Sequence, residues 1–251
     1  MNPIDPSNLI GRGAQADVYL HEGQAIKLFH PGTPEDAVLY EADIQQRVHL
    51  WGLPAPRVFG MAVLQDRFAI LMEHVPGPSL GALMEKDRPH AMDYMAQAVN
   101  LQAQLHRTQG TGLPSQREKL FHRISSADAL SQDVKRQLLN RLDSIASDCV
   151  VCHGDFHPYN ILQTENGPVI IDWVDASCGS AGADACRTYL LFLLHGKEAA
   201  EPYLSLYCGL TGTEKEAVLQ WLPILAAARL LEYGRGDDTD LLMQLAHDPR
   251  P

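Results

Sequence analysis

The sequence predicts an α+β chain in two parts, a strand-rich N-terminal lobe (residues 1–75) followed by a mainly helical C-terminal lobe (residues 76–251). Three observations predict it. Short apolar runs bounded by Gly, Pro and Asp turns fill the first lobe, with one helical stretch among them. Glu73-His74-Val75-Pro76-Gly77-Pro78 then breaks the pattern, as Pro and Gly do at a lobe boundary. Beyond it apolar residues recur at helical spacing, except where two short apolar runs bracket His153-Gly154-Asp155-Phe156-His157-Pro158-Tyr159-Asn160.

Each element has its own local cause. Leu9-Ile10 leads through Gly11-Arg12-Gly13-Ala14-Gln15-Ala16 into Asp17-Val18-Tyr19-Leu20, a hairpin with a glycine-containing turn. Gln24–Phe29 reads as a third strand, ended by His30-Pro31-Gly32. Glu35–Leu50 is helical, with Val38, Ala42, Ile44 and Val48 on or near one face and Glu41 within it, and Trp51-Gly52-Leu53-Pro54 stops it. Residues 57–64 and 67–72 read as two more strands around Gln65-Asp66. In the second lobe, 92–106 and 127–145 are helical candidates. Short strands follow within 149–175, then helices over 184–194, 202–207 and 213–233.

Composition bounds the function. The 251 residues suffice for one large domain or two lobes with a substantial core, and 45% apolar with 20% charged residues is ordinary for a globular chain. A net charge of −11 argues against binding nucleic acid, whose phosphates demand a basic face, and against adhesion to anionic membrane. No signal-like run opens the chain, and the apolar tracts are too short to span a bilayer, so a cytoplasmic protein is expected. Five scattered cysteines, at 149, 152, 178, 186 and 208, suggest no disulfide framework. Cys149-Val150-Val151-Cys152 reads as a strand with buried structural thiols.

The acidic loop carries the chemistry. Asp155, Asn160 five residues on, and Asp172 after the next apolar run are the set that phosphoryl transfer uses: one carboxylate for the acceptor hydroxyl, then an amide and a carboxylate for a metal. Hard oxygen donors of this kind suit Mg²⁺, with phosphates and waters completing the shell. Lys27, in Ala25-Ile26-Lys27, and Glu41 on the following helix are a lysine and partner glutamate in the order such a site needs; alone they would read as a surface strand lysine and a solvated helix glutamate. Gly11 and Gly13 approximate a phosphate-covering loop whose third glycine is Ala16. A strand follows that loop, which excludes a dinucleotide fold, and no Walker sequence exists. His153 and His157 have the spacing of a helical zinc pair, but Gly154 and Pro158 oppose a helix there, so His153 reads as a packing residue that fixes the loop. A serine hydrolase lacks its nucleophile elbow.

These residues, with Ile10, Leu71-Met72-Glu73-His74-Val75-Pro76-Gly77, Leu105-His106-Arg107, Ile170-Ile171-Asp172-Trp173 and Asp184-Ala185-Cys186-Arg187-Thr188, resemble the aminoglycoside phosphotransferase/choline kinase family over nearly the whole chain. His-Gly-Asp and Ile-Asp-Trp favour small-molecule members over protein kinases. The resemblance implies a two-lobed protein-kinase-like fold, an antiparallel sheet in the N-lobe and mainly helices in the C-lobe. It implies ATP and Mg²⁺ as cofactors and transfer of the γ-phosphoryl group to a hydroxyl of a small-molecule acceptor. Asp155 would be the catalytic base, Asn160 and Asp172 the metal ligands. Lys27 with Glu41 would place the α/β-phosphates, Gly11 and Gly13 would cover them, and the Glu73 carbonyl and Val75 amide would bind adenine. Asp184 would brace the catalytic loop. Two departures stand out: Ala16, and a short region after Asp184, where the family builds its acceptor pocket and where Trp173, Asp175 and Arg229 are candidate lining or core residues. A kinase-like nucleotide-binding scaffold and a protein kinase are the competing expectations. Neither the acceptor nor the oligomeric state is legible.

Overall fold

The computed structural model describes residues 5–146, 148–232 and 237–247. Strands β1 (Leu9–Arg12), β2 (Ala16–His21) and β3 (Gln24–Phe29) come first, then helix α1 (Glu35–Leu50), β4 (Val58–Leu64) and β5 (Arg67–Glu73). Helices α2 (Leu80–Lys86), α3 (Ala91–Leu105), α4 (Gln116–Ser125) and α5 (Gln132–Ser144) follow. Then come β6 (Val150–Cys152), the hairpin β7 (Ile161–Thr164) and β8 (Gly167–Ile170), and β9 (Ser177–Gly179). Helices α6 (Ala181–His195), α7 (Ala200–Thr211), α8 (Lys215–Leu219), α9 (Leu222–Arg229) and α10 (Thr239–Ala246) complete the described chain. None of the described helices is long and apolar enough to cross a membrane.

Two compact units result: the described part of Met1–Leu83 with Tyr159–Val174, and the described part of Met84–Pro158 with Asp175–Pro251. The first holds a five-stranded antiparallel sheet in the order β1-β2-β3-β5-β4. Glu22 and Gly23 turn β2 into β3 with φ of 49° and 80°, and Gln65 and Asp66 turn β4 into β5 with φ of 52° and 58°. Two successive left-handed residues match the twist of paired strands, which is why such short connections suffice. Helix α1 lays Val38 and Ala42 against Ala16, Phe29 and Ile70 of the sheet. Its buried face also includes Glu41 and Gln45.

The β7–β8 hairpin belongs to this first unit. Gln163 N–H donates to Pro78 O at 2.9 Å and Ile170 N–H to Pro54 O at 2.7 Å. Gly77, at φ 137°, permits that approach, because a Cβ there would run into the Gln163 carbonyl. The contacts therefore divide differently from a boundary at residues 75/76. A hairpin more than 80 residues downstream hydrogen-bonds back to the Pro/Gly segment that local signals marked as the break.

The second unit buries one large apolar cluster, to which α3, α4, α5, α6, α7 and α9 contribute Val99, Leu120, Leu142, Leu190, Tyr203 and Ile224 among others. Its small sheet pairs β6 with β9, Val151 opposite Cys178. That pairing brings the Cα atoms of Cys149 and Cys178 within 4.9 Å, and the two cysteines form a disulfide. This corrects the expectation that Cys149 is a buried structural thiol, and the scattered cysteines do form a disulfide. A strand pair that only the fold creates sets the distance. Cys152 and Cys186 are buried and free, as expected of structural thiols.

Several helices differ from their sequence patterns. The stretch 213–233 is two helices, because Pro223 in the first turn of α9 has no N–H to continue α8. Its expected end at residue 233 lies outside the described residues. The helix expected over 127–145 starts only after Ser131, whose hydroxyl caps Val134 N–H. Helices α2, α4 and α10 were not expected at all, although for α4 Ser115 three residues before Glu118 is a capping signature and accepts from Glu118 N–H.

Candidate active site

In the first unit the sheet register sets Gly11, Val18 and Lys27 side by side across β1, β2 and β3. Gly13 sits in the following turn, where its N–H donates to Ala16 O at 2.8 Å. Lys27 is largely buried, and its Nζ is ion-paired with Glu41 Oε1 and lies 3.2 Å from Asp172 Oδ1. The Glu41 carboxylate is 4% exposed, and its pairing with the lysine helps to compensate a buried charge. Burial by itself would lower the Lys27 ammonium. The adjacent Asp172 and Glu41 carboxylates reverse this and raise it above the usual lysine range.

Asp172 has φ 64°. A non-glycine residue in the left-handed region is uncommon, costs about 1–3 kcal/mol, and clusters at functional sites. Its side chain is 43% exposed. Ile161 pairs with Ile170, and Ile171 N–H donates to Asn160 O at 2.9 Å, so Asn160 and Asp172 flank the same end of the β7–β8 hairpin. One amide oxygen and one carboxylate at one hairpin end fit a hard cation that takes its remaining ligands from phosphate and water. Trp173, next in sequence, is fully buried and donates its indole N–H to Ile170 O at 2.8 Å. It is a core residue of this unit. Glu73 ends β5, its N–H bonded to Arg57 O at 2.8 Å, and Val75 is half-buried in the irregular segment just beyond.

In the second unit Asp155 sits on the loop after β6, and α6 pins that loop. Gly154 (φ 83°) donates its N–H to Asp184 Oδ1 at 2.7 Å, and its carbonyl accepts from Arg187 Nε at 3.3 Å. Phe156 O accepts from Thr188 Oγ1 at 2.8 Å. Asp184, Arg187 and Thr188 have the i, i+3, i+4 spacing of one helix face, so a single helix fixes Gly154 and Phe156, the residues on either side of Asp155. His153 is fully buried, accepts from Asp155 N–H at 3.3 Å and meets the Phe156 ring edge-on, the packing role expected of it.

Asp155 lies 3.5 Å from His157 Nε2 and 4.0 Å from Arg187 Nη2. Burial alone would raise its carboxyl. The hydrogen bond and charge of His157, with Arg187 and His153, override this and hold it well below the usual carboxylate range. Asp155 is thus a carboxylate at neutral pH.

Asp184 is fully buried and accepts from His106 Nε2 at 2.9 Å and Gln102 Nε2 at 3.2 Å as well as from Gly154. Burial would raise its carboxyl, but His106 and the Gly154 N–H hold it below the ordinary value. A group depressed in the folded state stabilises above its unfolded pKa, about 3.9, and that contribution fades as pH falls below it. Asp184→Asn is therefore expected to cost about 3 kcal/mol or more at pH 7. The gap to wild type should narrow in thermal unfolding below pH 4. A variant melting with the wild type at pH 7 would show that Asp184 braces nothing.

A cavity of about 40 Å³ lies beside this loop, lined by Gly154, Asp175, Lys119, Arg123 and Arg187 among others. Asp175 is paired with Arg123 at 2.7 Å, whereas Arg229 is 3% exposed and paired with Asp237 and Glu232 at 2.6 Å, away from the lining. Of the three pocket candidates only Asp175 faces the cavity. Its basic partners carried no sequence signal, apart from Arg187 in the Asp184–Thr188 stretch.

A model of the phosphotransferase enzyme family matches residues 8–221. No curated protein matches the chain. Among solved structures, an aminoglycoside-3′-phosphotransferase of type VIII is 21% identical, with TM-score 0.64 over 89% of this chain and 91% of its own. The choline kinase LicA from Streptococcus pneumoniae is 14% identical, with TM-score 0.63 over 96% and 92%. Aminoglycoside phosphotransferase APH(3′′)-Id from Streptomyces rimosus, in complex with ADP and streptomycin, is 16% identical, with TM-score 0.60 over 87% and 91%. These likenesses establish the kinase-like α+β fold, with its five-stranded antiparallel sheet and helical C-terminal part.

Proposed function

Because the chain belongs to the phosphotransferase enzyme family, we propose that it moves the γ-phosphoryl group of ATP to a hydroxyl of a small-molecule acceptor. The observation that carries this is Lys27 held between buried Glu41 and left-handed, half-exposed Asp172, with Asn160 at the same hairpin end. A buried lysine fixed by two acids is a preorganised cation for phosphate oxygens, and it needs no reorganisation as charge shifts. Gly11 and Gly13 cover the phosphates, and the Glu73 carbonyl and Val75 amide take the adenine edge.

Asn160 and Asp172 would hold Mg²⁺, which offsets phosphate charge when bound. Asp155 orients the acceptor hydroxyl and takes its proton. Held so acidic, it is a weak base, and its main work is orientation, which suffices where the transition state is loose and bond-making lags. The acceptor is an aminoglycoside-like or other alcohol- or amine-containing small molecule, met in the cytoplasm. Nucleic acid and membrane are not partners of a chain with net charge −11.

The test is ADP release, coupled to a readout, across amino sugars, choline-like amines and neutral alcohols, with and without Mg²⁺. Acceptor-dependent, Mg²⁺-dependent turnover is expected. Thermal stabilisation by ATP with no acceptor-dependent turnover anywhere in the panel would instead favour a nucleotide-binding protein without transferase activity.

A further inference from the structure

Helix α7 carries Tyr203 and Tyr207 one turn apart, both 1% exposed, their ring centroids 6.2 Å apart. Their hydroxyls start two parallel lines of hydrogen bonds through the core of the second unit. Tyr203 Oη donates to Gln102 Oε1 at 2.6 Å, Gln102 Nε2 donates to Thr188 Oγ1 at 3.1 Å, and Thr188 Oγ1 donates to Phe156 O at 2.8 Å. Tyr207 Oη meets His106 Nδ1 at 2.9 Å, His106 Nε2 meets Asp184 Oδ2 at 2.9 Å, and Asp184 Oδ1 takes the Gly154 N–H at 2.7 Å. Gln102 Nε2 also donates to Asp184 Oδ2 at 3.2 Å, a rung between the lines. Three helices each give one residue to each line at i, i+4 spacing: Tyr203 and Tyr207 on α7, Gln102 and His106 at the end of α3, Asp184 and Thr188 on α6. The lines end on Phe156 and Gly154, the two neighbours of Asp155.

A buried tyrosine hydroxyl needs a partner, and a nearby carbonyl would suffice, as Ala185 O does 3.3 Å from Tyr203 Oη. These two also engage side chains whose far ends hold the catalytic loop. We infer that Tyr203 and Tyr207 are positioning residues for the phosphotransfer proposed above, on which this rests: through Gln102–Thr188 and His106–Asp184 they fix the backbone on either side of Asp155. A glutamine amide can present either its oxygen or its nitrogen, and an imidazole can turn on its stem. Tyr203 donating to Oε1 leaves the Gln102 amide nitrogen facing Thr188 and Asp184, and Tyr207 at Nδ1 keeps His106 Nε2 on Asp184. Satisfied buried lines of this kind stiffen as a unit. Helix α7 thereby acts on Asp155 through its two neighbours.

The experiment uses the full chain with Tyr203→Phe, Tyr207→Phe and Leu204→Val, measuring kcat and ATP KM by ADP release, thermal unfolding, and hydrogen exchange of the Gly154 amide. Phenylalanine keeps the ring contacts, Phe192 at 5.4 Å from Tyr203 and His106 edge-on at 5.8 Å from Tyr207, so each variant loses only a hydroxyl. Both should lose about tenfold in kcat with ATP KM unchanged, because a small misplacement of the catalytic group is costly. Y207F should also speed Gly154 exchange about tenfold. Leu204, fully buried on the same helix, is the control: L204V should melt earlier with kcat within about twofold of wild type. A folded Y203F or Y207F whose kcat stays within about twofold of wild type would overturn the inference. So would an equal kcat loss in L204V, since the loss would then follow the packing of α7 and not its hydroxyls. If one tyrosine variant does not fold, the other line carries the same kinetic measurement. A wild-type chain without turnover would sink the phosphotransferase reading, and Gly154 exchange in Y207F would then decide the positioning role by itself, unchanged exchange overturning it.

Discussion

Asp155→Asn is expected to lower kcat on the order of 10³-fold while the protein stays folded and ATP KM barely moves. The amide keeps the shape of the side chain, and the loop that carries it is held by other atoms: Gly154 N–H by Asp184, Gly154 O by Arg187 and Phe156 O by Thr188. What disappears is the negative charge beside His157 and Arg187, to which the acceptor hydroxyl donates in the proposed reaction. The asparagine oxygen still accepts one hydrogen bond, but the amide cannot take a proton. Steady-state kinetics beside thermal unfolding separate the cases, and near-normal kcat in a folded Asp155→Asn protein would sink the assignment. The pH profile adds a second check. Since the Asp155 carboxyl is depressed, the charged form persists as pH falls from 8 to 5, and any acid limb in that window belongs to another group.

The sheet and its lysine were legible because their causes are local. Two-residue turns, the short apolar run of β3 and the helical spacing of α1 place Lys27 and Glu41 on successive elements, and the fold joins them. Asp172 was legible as an acid after an apolar run, but its left-handed backbone was not. That conformation follows from how the chain leaves β8, not from the residue itself. Arg187 and Arg229 were singled out in the sequence, but the cluster they form with Arg123 and Glu232 was not, for a different reason. Arg123, Arg187, Arg229 and Glu232 come from three separate stretches, and in sequence each is an ordinary charge on a helix or beyond its end. Only packing α4, α6 and α9 around Leu120, Leu190 and Ile224 brings them together. The same holds for Cys149 and Cys178, 29 residues apart and adjacent only through β6 and β9. Helix α4 is the counter-case, for its Ser115 and Glu118 signature was present and local.

Asp172→Asn is the sharper of two possible probes of the first unit. Asparagine tolerates left-handed backbone nearly as well as aspartate, so φ 64° adds little strain, whereas alanine there costs about 1–2 kcal/mol. Asp172→Asn therefore isolates the charge, and Asp172→Ala mixes charge loss with backbone strain. With the carboxylate gone, Lys27 keeps Glu41 as its ion-pair partner, so the lysine stays anchored and the sheet intact. The proposed cation site at this end of the hairpin is left with two neutral amides, which Mg²⁺ accepts poorly compared with a carboxylate. We expect kcat/KM for ATP to fall on the order of 10³-fold, which is about 4 kcal/mol, and the Mg²⁺ concentration for half-maximal rate to rise more than about tenfold. Asp172→Ala should show the same kinetic loss but melt below Asp172→Asn. Equal Mg²⁺ dependence in Asp172→Asn and wild type would remove Asp172 from the metal site. Equal melting of the two variants would mean that the left-handed turn stores no strain that the side chain must tolerate.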